Sequence, residues 1–177
     1  MDIILQESQT PGNIGAIARA MKNFELNTLI LLNPQCNHLS KEALDRASHA
    51  KDILQNAKII QKLDYDTLIG TTAIIGTDYN LNRTPITPET LAKMQLKGKI
   101  GLLLGREDHG LNNEELEMCD IIVTIPSSKK YPTMNVSQAA VILLYELFTH
   151  SKKLKTGENI KPATREQKDI LLKLIEE

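Results

Sequence analysis

Tryptophan is absent from this 177-residue chain, and aromatic residues make up only 3% of it. A module that reads single strands by extensive stacking of bases on rings has too few rings here. Cysteine is scarce as well: Cys36 and Cys119 stand alone, with no Cys-x-x-Cys and no nearby histidine pair, so neither a disulfide framework nor a zinc or other metal site is supported. Both are expected as buried, reduced thiols. Long hydrophobic runs are missing too. The most apolar stretch, Ala139 to Phe148 with Glu146 inside it, falls far short of the ~20 residues that span a bilayer, so no membrane is implied. The N-terminus, Met1-Asp2-Ile3-Ile4, carries an acid where a targeting signal carries bases, and the cytoplasm is the expected compartment. Neither sign of charge dominates: 21 Lys and Arg face 22 Asp and Glu, a net charge of −1, so a polyanion would have to meet a local patch. There is also no G-x-x-x-x-G-K-S/T, no G-x-G-x-x-G and no G-x-S-x-G. The usual nucleotide-phosphate cradles and the serine-hydrolase elbow are thereby without support.

What is present is an ordinary globular balance, 41% hydrophobic and 24% charged, at the length of one domain. Short apolar runs at Ile3–Leu5, Thr28–Leu32, Lys58–Ile60, Ala73–Ile75, Ile100–Leu104 and Ile121–Ile125 alternate with helical patterns, which predicts an α/β class with parallel strands buried on both faces. In the first helix Ile14, Ile17, Ala18, Met21 and Phe24 fall on one stripe, and Asn13 is expected to cap it. Arg19, about 140° around from Ile14, faces away from that stripe. A second helix is expected over Asn135 to Phe148, with Val136, Ala140, Leu143, Leu144 and Leu147 on one side and Ala139, Ile142 and Tyr145 spreading the apolar surface around it. Such a helix must be covered on several sides, which a subunit interface would do.

The domain is expected over residues 1–150, followed by a polar linker over 151–163 broken by Gly157 and Pro162. Residues 164–177 then read as an amphipathic helix, opened by the capping box of Thr164 and Gln167, with Ile170, Leu171, Leu174 and Ile175 on its stripe. The stripe runs up to Glu176-Glu177 with no Gly or Asn stop, as expected of a C-terminal extension cut short.

In open α/β sheets ligands bind beyond the carboxyl ends of the strands. Three loops there carry chemistry: Gln6–Asn13, Gly105–Asn113 and Pro126–Met134. The second packs Arg106, Glu107, Asp108 and His109 between Gly105 and Gly110, and glycines permit tight turns and close backbone approach. His109, one histidine without a partner, reads as a loop residue. On residue type alone, Arg19 is a solvated helix-face arginine, Asn13 a cap and Glu107 a solvated acid.

Three segments in order change those readings. Asn13-Ile14-Gly15-Ala16-Ile17-Ala18-Arg19-Ala20-Met21-Lys22-Asn23, Leu102-Leu103-Leu104-Gly105-Arg106-Glu107-Asp108-His109-Gly110-Leu111, and Ile125-Pro126 followed by Met134-Asn135-Val136-Ser137 resemble the three motifs of the SpoU, or TrmH-like, branch of the SPOUT RNA methyltransferases. The resemblance runs from about residue 2 to residue 150, and the stretch Arg46 to Leu54 is most similar to the TrmJ subgroup, whose members methylate the ribose of nucleotide 32 in the tRNA anticodon loop. It implies a Rossmann-like sheet with a C-terminal deep trefoil knot, a homodimer, and S-adenosylmethionine held by Leu104, Gly105, Ile125 and Met134. The implied activity is 2′-O-methylation of tRNA ribose, with the same chemistry on ribosomal RNA or another tRNA position, or a non-catalytic RNA- or cofactor-binding module, as the alternatives.

By the same resemblance Arg19 is the catalytic arginine. The ribose hydroxyl must lose its proton, and the developing alkoxide needs a positive partner. An arginine is a poor proton acceptor near neutral pH, so electrostatic stabilisation and phosphate clamping are its expected work. Asn13 is expected to orient substrate, Glu107 to position Arg19 or the RNA, and Thr133 and Asn135 to complete the site. The family commonly has Ser-Leu-Asn where this chain has Thr133-Met134-Asn135, which keeps the hydroxyl and adds a methyl; Asn135 also suits the cap of the last core helix. Lys22, Arg46, Lys51, Arg83, Arg106, Lys129 and Lys130 are the candidate RNA contacts, and recognition should lean on phosphates and shape.

Overall fold

The apolar runs pair side by side in a computed structural model that describes residues 1–73, 84–152 and 164–165. Six strands, β1 (Asp2–Gln6), β2 (Leu29–Leu32), β3 (Lys58–Ile60), β4 (Thr67–Thr71), β5 (Ile100–Leu104) and β6 (Ile121–Val123), form one sheet in the order β3-β2-β1-β5-β4-β6. Every pairing is parallel. Helices α1 (Pro11–Asn23), α2 (Lys41–Ala47), α3 (Lys51–Gln55), α4 (Pro88–Ala92) and α5 (Asn113–Glu117) lie between strands, and α6 (Val136–Ser151) follows β6.

Alternate residues of each strand feed two cores, because successive side chains leave a strand on opposite faces. Ile3, Leu5, Leu29, Leu31, Leu102 and Leu104 pack with Ile14, Ile17 and Met21 of α1 and Leu143 of α6. Ile4, Ile30, Leu32, Leu68 and Leu103 pack on the other side with Leu111, Cys119 and Ile122. All four residues of β2 are buried, as a run of Leu-Ile-Leu-Leu requires. Cys119 is buried and Cys36 is half-buried.

One strand lies elsewhere than its sequence suggests. The fourth is Thr67–Thr71 rather than Ala73–Ile75: Ala73 is in a bend, and residues 74–75 lie outside the described residues. Gly70 interrupts the apolar signal of the true strand. It is needed there, since a Cβ at this position would stand 2.6 Å from the Cys119 sulfur. The strand expected to reach Ile125 ends at Val123, which releases Ile125 into the loop beyond. Helix α6 continues through Ser151, where the linker was expected to begin. The remaining linker residues, 153–163, the stripe of the expected terminal helix and Arg83 lie outside the described residues.

Helix α1 crosses α2 closely at Gly15, where a Cβ would meet the Ala43 carbonyl oxygen at 2.2 Å. Its far end is tied to α3, because the Lys22 ammonium donates to Asp52 at 2.8 Å and to the His49 carbonyl at 2.9 Å. Among the described residues no helix is long and apolar enough to cross a membrane.

Candidate active site

From β1 the chain winds outward one way through β2 and β3, while β4, β5 and β6 lie on the other side of it, so the switch point falls between β1 and β5. In doubly wound sheets this crevice normally takes the ligand. Here a side chain ties the loops after β1 and β5 together. The Arg106 guanidinium, 8% exposed, donates from Nε to Glu7 at 2.8 Å and from Nη1 and Nη2 to the two oxygens of Glu115 at 2.9 and 2.7 Å. Gln6 adds a bond from Nε2 to Glu115 at 2.8 Å. Glu115 is also the third helical residue of α5, closing a reciprocal capping box with Asn112. Burial pushes the Glu115 carboxyl up, but Arg106 and the Asn112 amide together hold it below the ordinary carboxylate range. Arg106, expected as an RNA contact, has its guanidinium bonded to two carboxylates and to the Gly110 carbonyl. The sequence reading passed over Glu115, although Asn112-x-x-Glu115 is itself a helix-start signature.

The open space lies to the other side, beyond the carboxyl ends of β4, β5 and β6. It is a cavity of about 310 Å³, within the usual range for small-molecule sites. Leu104, Gly105, Ile125, Thr133 and Met134 line it together with Glu107, so segments far apart in the chain meet at one wall. Thr71 to Ala73 and the α6 residues Val136, Ala139 and Leu143 complete it. Those were missed for two reasons: β4 was placed too late in the chain, and apolar residues of α6 read as core. Gly105 serves the loop before any ligand. A Cβ there would stand 2.4 Å from the Gly110 carbonyl carbon and 2.5 Å from the Leu111 nitrogen, because residues 106 and 110 bridge back on each other.

Two long helices begin at the edge of this cavity, and three polar side chains join their ends. Asn135 is the cap of α6, accepting from the Ser137 amide at 2.8 Å, and its Nδ2 donates to Asn13 Oδ1 at 3.1 Å. Asn13 Nδ2 in turn donates to Glu107 at 3.3 Å. Asn13 is thus not the cap of α1; Thr10 holds that position and Pro11 is the first helical residue, a place that suits proline because its missing N–H is not needed. The capping comes from across the fold: Glu107 accepts from the backbone amides of Gln9 and Thr10, both at 3.1 Å. A carboxylate there also suits the positive end of the helix dipole. Glu107 was expected to position Arg19 or the RNA; within this chain its oxygens accept from the entrance to α1. Glu107→Ala is expected to cost about 1 kcal/mol of stability, read as a small drop in urea midpoint, and to weaken ligand binding in the cavity more than that suggests.

Arg19 is exposed, as its place on the helix wheel requires, and among the described residues no acid or acceptor engages it. It does not line the cavity. It lies eight positions beyond Pro11, about 12 Å along the axis. Arg46, Lys51, Lys129 and Lys130 are exposed; Lys22 is held by Asp52 and His49. His109 sits in the loop beside Asp108, 2.6 Å away. Burial, then the charges of Glu107 and Glu42, push the Cys36 thiol up. Among the described residues no cluster of three or more His, Cys, Asp or Glu could hold a metal ion.

A cavity walled largely by apolar side chains and loop backbone, with Arg106, Glu107, Asp108 and His109 of one loop on its polar side, seats a small organic ligand, and its place beyond the strand ends marks an α/β enzyme of the parallel-sheet class. Comparison with known proteins sharpens this. The SpoU rRNA methylase family matches residues 1–145, and the chain belongs to that family and is a methyltransferase. It is 40% identical over its whole length to the tRNA (cytidine-2′-O-)-methyltransferase TrmJ of Methanocaldococcus jannaschii, of which it covers 80%. It is 36% identical, over 82% of its length, to the tRNA (cytidine/uridine/adenosine-2′-O-)-methyltransferase TrmJ of Pseudomonas aeruginosa; it spans 59% of that relative. The crystal structure of TrmJ from Z. mobilis superposes with a TM-score of 0.76 at 27% identity, covering 99% of this chain and 77% of the other.

Proposed function

We propose that this protein methylates a ribose 2′-hydroxyl of tRNA in the cytoplasm, with nucleotide 32 of the anticodon loop as the target. The observation that carries the reading is the convergence of Leu104, Gly105, Ile125, Thr133 and Met134 on one cavity, beside the Asn13–Glu107 and Asn13–Asn135 bonds. The names of the relatives from M. jannaschii and P. aeruginosa, both tRNA 2′-O-methyltransferases, support the substrate class.

The cavity fits S-adenosylmethionine: apolar walls for its adenine, and a tight loop around Gly105 whose backbone groups can meet its polar edges. When bound, S-adenosylmethionine supplies the methyl group as a sulfonium. Leu104, Gly105, Ile125 and Met134 would hold it. Thr133 and Asn13 orient the ribose, and Arg19 stabilises the oxygen as its proton leaves to solvent or to an RNA phosphate. Because Arg19 stands outside the cavity of its own chain, the working unit is a homodimer in which a second copy brings its α1 to the site. Val141 and Tyr145, 43% and 52% exposed on α6, offer apolar surface for that contact. A C-terminal trefoil knot completes the fold we assign, with α6 packed on both α1 and α4 as its support.

The test is transfer of labelled methyl to unmodified tRNA, with the modified ribose mapped. Label at the anticodon loop is the expected result; label only in ribosomal RNA would move the target, and none in any RNA would remove the function. RNA affinity should also fall steeply with salt, by roughly 0.7–0.9 in log K per log salt for each phosphate neutralised. A flat response would exclude a phosphate-led interface.

A further inference from the structure

Aromatic side chains are few here, and most of those described are occupied inside the fold. Phe24 meets Tyr145 and Phe148 with ring centroids 6.3 and 5.7 Å apart, and the Tyr65 hydroxyl donates to Asp2 at 3.0 Å under the Lys99 ammonium. Tyr131 differs. It is 80% exposed, and among the described residues its side chain has no ring, hydroxyl or cation partner. Tyr131 directly precedes Pro132, Thr133 and Met134, which wall the cavity, and directly follows Lys129 and Lys130, both exposed. The loop is tied down around it: the Tyr131 amide donates to the Ser128 carbonyl at 3.1 Å, the Lys130 amide to Ser128 Oγ at 3.3 Å, and Ser127 Oγ to the Pro132 carbonyl at 3.1 Å. A ring is thus held outward at the cavity rim beside two cations.

Resting on the reading that the substrate is RNA, we propose that Tyr131 is a stacking platform for an unpaired base at or next to the methylated nucleotide, with Lys129 and Lys130 against the flanking phosphates. A ribose whose 2′-hydroxyl enters the cavity carries its base and its neighbours past this rim. Stacking meets the π-face that every base has, so the contact adds affinity without selecting the base. One such platform is compatible with a ring-poor chain. The lysines act at longer range and under salt control, while the ring acts by contact and does not.

The absence of tryptophan provides the test, since Tyr131→Trp installs a single indole. Its emission should be that of a water-exposed ring in the free protein and should be quenched on titration with an unmodified tRNA transcript. Tyr131→Ala should raise the tRNA KM roughly tenfold, leave the donor KM and the salt slope unchanged, and be rescued by Tyr131→Phe. Lys129→Ala with Lys130→Ala should instead flatten the salt slope. An unquenched indole, or a Tyr131→Ala enzyme with wild-type tRNA KM, overturns the platform while wild-type methylation of the same tRNA keeps the substrate reading intact. A blue-shifted indole without RNA overturns it in favour of burial against a second copy. If the wild-type protein neither binds nor methylates RNA, both readings fall.

Discussion

Arg19→Ala is expected to lower methyl transfer by about 10²–10³-fold while donor affinity and thermal stability stay near wild type. The separation follows from where the side chain lies. It is exposed, no acceptor among the described residues engages it, and it is not part of the cavity wall, so removing it disturbs neither packing nor donor. What it removes is the one positive charge of α1 that the Lys22–Asp52 pair does not already claim. Arg19→Lys should recover little, because a guanidinium offers two donors in a plane to an alkoxide or phosphate and an ammonium does not. Mixing distinguishes action within a chain from action between chains. Arg19→Ala subunits combined with cavity-blocked Met134→Trp subunits should regain roughly a quarter of wild-type activity, since half the dimers are mixed and each has one intact composite site. No recovery would mean that Arg19 serves only its own chain. Unchanged turnover in Arg19→Ala would end its catalytic assignment.

The contrast between Arg19 and Arg106 shows what a sequence of this kind discloses. Arg19 was legible because its exposure follows from its angle on a helix whose apolar stripe is unambiguous. Arg106 directly precedes the acid pair Glu107-Asp108 in a glycine-flanked loop and looks equally available, yet it is buried by Glu7, about a hundred positions away, and by Glu115. Contacts at that separation leave no periodic trace. The hydrogen bonds of Glu107 were hidden for the same reason: its partners, the amides of Gln9 and Thr10, belong to the loop after β1. Strands β1, β2, β3 and β5 declared themselves as apolar runs, whereas β4 was hidden by Gly70, whose role is to admit the Cys119 sulfur from α5's end of the fold. The cavity was half legible. The loops after β5 and β6 carry its chemistry in glycine and hydroxyl residues, but the α6 wall of Val136, Ala139 and Leu143 is indistinguishable in sequence from core.

Arg106→Ala should be the most destabilising single exchange at the site, by about 3–5 kcal/mol and on the order of 10 °C in Tm. Glu7 and Glu115 would then face each other without a cation, Glu115 with a side chain only 10% exposed. Glu7 also holds its backbone at φ 44°, in the left-handed region, and loses the bond that keeps it there. The pH dependence gives the sign. In the wild type the Glu115 carboxyl is held below its unfolded value, so its contribution is present above roughly pH 4.3 and is lost as pH falls through the folded value. Without Arg106, burial dominates and raises the same carboxyl above its unfolded value, so the variant loses stability as pH rises. The Tm gap between the two proteins should therefore be widest at pH 7 and narrow towards pH 4. A gap that stays constant with pH would mean that Arg106 contributes packing rather than charge. Glu115→Gln in the Arg106→Ala background supplies the complementary measurement: removing the stranded charge should recover a large part of the loss at pH 7 and little at pH 4. Donor affinity should follow stability through the series, because the loop that Arg106 fixes to Glu115 is the loop in which Gly105 and Glu107 meet the cavity.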